Sequence, residues 1–198
     1  MRLYRLLQVA AAPVIRAVWR LEVDGARHVP AGPVIVVANH DSLSDPFFLG
    51  AAFERPLRFL AKRELWRNRA VGRVLDGLGG IPVDRRRGDV GAVAAAAKAL
   101  GRDAAVAIFP QGTVLGPPDR PWQRGAARLA LTTGAPVVPV AIVGADAVLE
   151  PGTRRPRRTR VRVVIGPPLV VERRDPTIPA TRELTERLRE AVEELRAS

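Results

Sequence analysis

Residues 34–38 read Val-Ile-Val-Val-Ala, an apolar run with no polar alternation, entered through Pro33. A strand wetted on one face alternates apolar and polar side chains, so an unbroken apolar run of strand length has to be buried on both faces. A sheet buried on both faces needs helices above and below it. The rest of the chain supplies them in alternation. Residues 57–61, 81–83, 104–109, 136–142 and 161–165 read as further strands, and residues 91–100, 123–133 and 181–196 as helices. Thr181 is placed to cap the last helix, whose Leu184, Leu188, Val192 and Leu195 share one side. The pattern predicts an α/β fold in a single domain, with a central, mostly parallel or mixed sheet flanked by helices. Its 198 residues suffice for one domain with a sizeable core, and no linker or internal repeat divides it.

Residues 1–21 stand apart from the body at 22–198. They read as an amphipathic helix. At helical spacing, Arg2, Arg5, Arg16 and Arg20 fall on one narrow face, and Leu3, Leu7, Ala10, Val14, Val18 and Leu21 lie roughly opposite. Pro13 is expected to kink or divide it. Such a helix packs on the core, or lies at a membrane surface with arginines toward lipid phosphates; both hold if it edges a membrane face. No stretch reaches the length of a transmembrane span, and Arg16 and Arg20 interrupt the run that a signal peptide would need.

The chain carries 32 basic and 20 acidic residues, a net charge of +12, which favours an anionic partner: nucleic acid, an anionic membrane surface or a phosphorylated small substrate. The run Arg154, Arg155, Arg157, Arg158, Arg160 and Arg162 is a solvated edge or a bilayer contact. Aromatic residues make up 5% of the chain, with no stacking strand, helix-turn-helix or zinc pattern, so nucleic acid is not the expected partner. Without cysteine there is no disulfide or thiolate chemistry. Metal binding is not implied, because neither histidine stands with a second histidine or a carboxylate cluster.

The two histidines are His28, in a turn-like stretch and read as an ordinary surface residue, and His40. His40 directly follows the strand at 34–38, where open α/β sheets place ligand-handling groups. Asp45 lies five residues on, and Pro46 suits the first turn of a helix, which puts Asp45 near its N-cap. The intervening turn can bring the carboxylate to the imidazole, fix its tautomer and strengthen the other nitrogen as a base. No Gly-x-Ser-x-Gly nucleophile elbow is present, which suggests that His40 activates an external alcohol. A structural turn contact explains the same pair taken alone.

The order Asn39-His40-x-x-x-x-Asp45, Gly79-Gly80-Ile81-Pro82-Val83-Asp84-Arg85, Phe109-Pro110-Gln111-Gly112-Thr113 and Val137-Val138-Pro139-Val140 resembles the glycerolipid acyltransferase family over residues 22–170. The resemblance implies that residues 22–198 form an acyltransferase domain with the active site at one edge of its sheet. It implies His40 as general base and Asp45 as its orienting partner, with acyl transfer to lysophosphatidic acid or a related lysophospholipid. The thioester donor, acyl-coenzyme A or acyl carrier protein, is then a substrate, and no cofactor is expected. Gly79 and Arg85 are implied at the acceptor phosphate, where a guanidinium fork suits phosphate oxygens. Gln111, Gly112 and Thr113 are implied at the substrate, with Arg124 as further phosphate support. The third block of the family usually reads Phe-Pro-Glu-Gly-Thr-Arg, so Gln111 and Val114 are departures. They are expected to alter acceptor preference while leaving proton transfer intact. The location implied is peripheral, on the cytoplasmic face of the membrane. A catalytically inactive lipid-binding relative, a water-using esterase and a basic nucleic-acid-binding protein are the alternatives.

Overall fold

The computed structural model describes residues 2–84, 90–114, 120–149 and 155–198. Elements follow in the order α1 (Arg2–Val18), β1 (Glu22–Asp24), β2 (Val34–Ala38), α2 (Asp45–Ala52), β3 (Leu57–Lys62), α3 (Arg69–Gly77), β4 (Ile81–Val83), α4 (Val90–Leu100), β5 (Ala105–Ile108), α5 (Gly125–Thr133), β6 (Val137–Val143), β7 (Arg162–Ile165) and α6 (Ile178–Ala197). The strands form one seven-stranded sheet in the order β1-β7-β6-β2-β5-β3-β4. All neighbours run parallel except β6 and β7, so the sheet is mixed, as expected.

The unbroken apolar run becomes β2, the central strand, with all five residues buried. Its side chains alternate between two cores. Val34, Val36 and Ala38 pack with Phe48, Leu49 and Ala52 of α2, while Ile35 and Val37 pack with Ala96 of α4, Leu129 of α5 and Leu188 of α6. Both faces of the sheet are therefore covered, and β2 ends in the middle of the molecule.

The N-terminal helix departs from its predicted orientation. Its inward stripe is Tyr4, Gln8, Ala12, Ile15 and Trp19, whereas Leu6, Leu7, Val9 and Val14 are exposed. The cause is polar docking on α2. Gln8 Nε2 donates to the carbonyls of Gly50 at 2.8 Å and Phe53 at 2.5 Å, and the Arg16 guanidinium donates to the carbonyl of Ala51 at 3.0 Å. Those carbonyls belong to the end of α2, where helical backbone acceptors lack intrahelical partners and the dipole favours a cation. Arg16 thus turns to protein, not lipid. The side chains of Arg2 and Leu3 lie outside the described residues, as do Arg85, Arg86, Arg87 and Arg154.

Two smaller corrections concern local polar contacts. The last helix starts at Ile178, and its cap is Thr177, whose side chain accepts from the amide of Ala180; Pro179 occupies the first turn. Thr181 lies inside the helix and returns its hydroxyl to the carbonyl of Thr177 at 2.9 Å. His28 is half-buried, with Nδ1 2.7 Å from the carbonyl of Ile165.

Candidate active site

His40 lies just past the carboxyl end of β2, over the central strand of the sheet and not beside an edge strand. Asn39 shapes this exit. It is fully buried, and its side-chain amide mimics backbone: Oδ1 accepts from the amide of Ile142 at 2.7 Å, and Nδ2 donates to the carbonyl of Ile142 at 2.9 Å. The side chain extends the β2–β6 ladder by one step while the main chain turns away. A buried backbone group left without a partner would cost about 1–3 kcal/mol.

The turn then folds back as the spacing suggested. His40 Nδ1 lies 2.9 Å from Asp45 Oδ2, and the same oxygen accepts from the amide of Ser42 at 2.8 Å. Asp45 is the first residue of α2, one position inside the cap residue Ser44, so the positive end of the helix dipole sits at its carboxylate. Asp45 is fully buried. Burial pushes its carboxyl above the ordinary carboxylate range, and the hydrogen bonds from His40 and Ser42 oppose the shift. Its Oδ1 is buried without a hydrogen-bond partner among the described residues. With Nδ1 directed at Asp45, the neutral ring carries its lone pair on Nε2.

The imidazole stacks on Phe109 at a centroid distance of 4.2 Å and an interplanar angle of 21°. Phe109 in turn stacks on Phe59 of β3 at 6.1 Å. Phe109, just past β5, thus holds the ring from one side with Phe59 behind it, and the exposed part of the ring opens into a cavity of about 650 Å³. Its walls are mainly apolar: α1 gives Leu7 and Ile15, the turn before α2 gives Leu43, α2 gives Phe47, and α3 gives Val74 and Leu75. Lys62, at the end of β3, is the cationic side chain among the described residues that lines it.

The remaining sequence candidates divide. Gly112, Thr113 and Val114 line the cavity. Gly112 has φ of +76°, a backbone conformation that favours glycine; a Cβ there would stand 2.5 Å from Nε2 of Gln123, the flexible end of a side chain that can move aside. Gln111 is not at the cavity wall. Its Oε1 accepts from the amide of His40 at 2.5 Å, and its Nε2 donates to Asp41 Oδ1 at 3.3 Å. Gly79, with φ of +68°, terminates α3 and lets β4 begin, while its neighbour Gly80 reaches the cavity. Arg124 is exposed at the start of α5 and does not reach the wall. Arg85 lies outside the described residues. Sequence reasoning missed Lys62, Phe109 and Asn39 as site residues. A cation and an aromatic at the carboxyl ends of two predicted strands were the available signal for the first two.

A buried carboxylate, an oriented imidazole and an apolar cavity can deprotonate an alcohol carried by an amphiphile. Similarity to known proteins points the same way. The family model described as Acyltransferase matches residues 20–143. The 1-acyl-sn-glycerol-3-phosphate acyltransferase of Bacillus subtilis is 30% identical over 151 residues, covering 75% of this chain and 73% of the relative. The protein of the same name from Pseudomonas aeruginosa is 33% identical over 183 residues, covering 90% and 69%. Among solved structures, the 1-acyl-sn-glycerophosphate (LPA) acyltransferase PlsC of Thermotoga maritima superposes with a TM-score of 0.70 at 27% identity, over 96% of this chain and 82% of that one.

Proposed function

This chain belongs to the acyltransferase family, and on that premise we propose that it moves a fatty acyl group from a thioester to a hydroxyl of lysophosphatidic acid or a related lysophospholipid. The observation that carries this reading is the His40–Asp45 pair at the mouth of an apolar cavity with a cation on its wall.

In this mechanism His40 Nε2 takes the proton of the acceptor hydroxyl as its oxygen attacks the thioester carbonyl. Asp45 stabilises the imidazolium that forms. Collapse of the tetrahedral intermediate forms the ester and breaks the carbon–sulfur bond, and the imidazolium returns its proton to the departing thiolate. The thiol belongs to coenzyme A or to acyl carrier protein. The cavity accepts the acyl chains, and Lys62 meets the acceptor phosphate. Gly112 and Thr113 face the reacting ends from the end of β5.

The same reading places the protein peripherally on the cytoplasmic face of the membrane. No helix among the described residues is long and apolar enough to cross a membrane. Leu43 and Phe47 are exposed beside the cavity, Leu6, Val9 and Val14 are exposed elsewhere on α1, and the net charge of +12 suits an anionic leaflet.

The test is ester formation by the purified protein, with acyl-coenzyme A and acyl carrier protein as donors and a panel of lysolipids as acceptors. The wild type should acylate at least one acceptor, and His40→Ala should lose transfer with every donor. Full activity in His40→Ala refutes the mechanism. A folded wild type that esterifies none of the panel refutes the assignment.

A further inference from the structure

The turn that carries His40 is held from outside by polar groups from two distant parts of the sequence. Asp41 makes three contacts: Oδ2 accepts from Asn39 Nδ2 at 2.8 Å and pairs with Nη2 of Arg196 at 3.0 Å, while Oδ1 accepts from Gln111 Nε2 at 3.3 Å. Gln111 passes the contact on, because its Oε1 accepts from the backbone amide of His40. Arg196 lies in the last turn of α6, and its other nitrogen reaches Glu193 one turn back at 3.3 Å. We propose that Arg196, Asp41 and Gln111 form a positioning relay, in which the C-terminal helix clamps the His40 turn and sets the imidazole in register with the cavity. This inference rests on the acyl-transfer reading of the site.

The relay has a direction that chemistry imposes. A carboxamide presents one acceptor and one donor edge, and Gln111 needs both: the acceptor for the His40 amide and the donor for Asp41. A glutamate at 111 keeps the acceptor, loses the donor and sets two carboxylates against each other at hydrogen-bond distance. The charge belongs at 41, where Arg196 answers it, and the amide at 111. Exchanging the two, with asparagine at 41 and glutamate at 111, restores a donor opposite an acceptor across the same gap. The site is sensitive to such changes because a displacement of about 1 Å in a catalytic group can cost on the order of a hundredfold in rate.

The experiment is a double-mutant cycle of Gln111→Glu and Asp41→Asn, read in kcat, KM and melting temperature, with Arg196→Met, Arg196→Lys and Glu193→Gln beside it. Gln111→Glu should lower kcat about tenfold or more with KM nearly unchanged, and adding Asp41→Asn should recover the part of that loss due to the opposed carboxylates but not the part that rests on the Arg196 ion pair, because residues in one hydrogen-bond network couple strongly. Arg196→Met should lower kcat with little effect on KM, and Arg196→Lys should restore part of it. Glu193→Gln should match the wild type. Additive effects at 41 and 111, or Arg196→Met indistinguishable from wild type in kcat, overturn the relay. If Gln111→Glu folds poorly, recovery of melting temperature and kcat in the double variant carries the test. A wild type without transfer activity is a failure of the acyl-transfer reading alone, and coupling in melting temperature still decides the exchange.

Discussion

Replacing Asp45 by asparagine separates its chemical role from its structural cost. Oδ2 accepts from both His40 Nδ1 and the Ser42 amide, at 2.9 and 2.8 Å. The asparagine carbonyl has to take that place, since an NH2 there would face the Ser42 N–H. The His40 tautomer is therefore kept, and what is lost is the negative charge beside the imidazolium. Two unit charges about 4 Å apart interact by about 4 kcal/mol at an effective dielectric of about 20. Spent wholly in the transition state, that corresponds to roughly a thousandfold in rate. We expect kcat/KM of Asp45→Asn to fall by about 10²–10³, with the native fold kept. Stability should move with pH in the opposite sense. Burial raises the Asp45 carboxyl above its ordinary value, so the folded state holds that proton at pH values where the unfolded chain has lost it. The stabilising contribution of Asp45 is fully present below the ordinary carboxylate pKa and is lost as pH rises through the elevated value. Asparagine carries no such term. It does bury an N–H where Oδ1 had no partner, a pH-independent cost of about 1–3 kcal/mol. The melting temperature of the variant relative to wild type should therefore improve from pH 4 to pH 7, measured by circular dichroism in about 0.1 M salt. A rate loss below tenfold refutes the electrostatic role. A melting difference that stays flat with pH refutes the burial cost.

Lys62→Met should raise KM for lysophosphatidate by about 10–100-fold, the worth of a charge-assisted hydrogen bond, and leave KM for a monoacylglycerol acceptor unchanged; equal effects on both acceptors would remove Lys62 from the phosphate site. Leu43 and Phe47 are 62% and 65% exposed beside the cavity. Changing both to serine should weaken flotation with anionic liposomes by about tenfold or more, since each apolar side chain that enters lipid contributes about 1.5–3 kcal/mol, and this loss should persist at high salt. Flotation equal to wild type would place the membrane contact elsewhere.

The central strands were legible because burial on both faces leaves a composition signature, and β2, β5 and β6 have it in full. The strand Glu22-Val23-Asp24 and the helix Arg69–Gly77 were not, for identifiable reasons. The first is a short, polar edge strand that only pairing with β7 makes a strand. The second contains Gly72, which lowers helix propensity and lies where a Cβ would stand 3.3 Å from the Trp66 ring. The facing of α1 was misjudged for a related reason. A helical wheel ranks faces by hydrophobicity, but Gln8 and Arg16 point inward to bond carbonyls, and Leu6 and Val9 point outward. At the site, the His40–Asp45 spacing could be read as a contact from the sequence, since both ends belong to one turn. The contact of Arg196 with Asp41 joins residues 155 positions apart and leaves no local pattern.

The acidic residue that closes this turn gains from its place on a helix, and both ends of that helix are used. Asp45 occupies the first turn of α2, where unpaired N–H groups and the dipole favour an anion, while Arg16 meets the carbonyls at the far end, where they favour a cation. The two charges reinforce the same field from opposite ends of one short helix. That placement offsets part of the penalty for keeping a carboxylate fully buried, and it does so without hydrogen bonds to Oδ1. Leaving Oδ1 bare has a chemical consequence. Each hydrogen bond to a carboxylate spreads and stabilises its charge, which weakens its pull on the partner imidazolium. A buried carboxylate held among the described residues by two donors, one of them His40 itself, keeps most of its charge for the ring. The docking of α1 through Arg16 holds the far end of the helix whose start carries this aspartate.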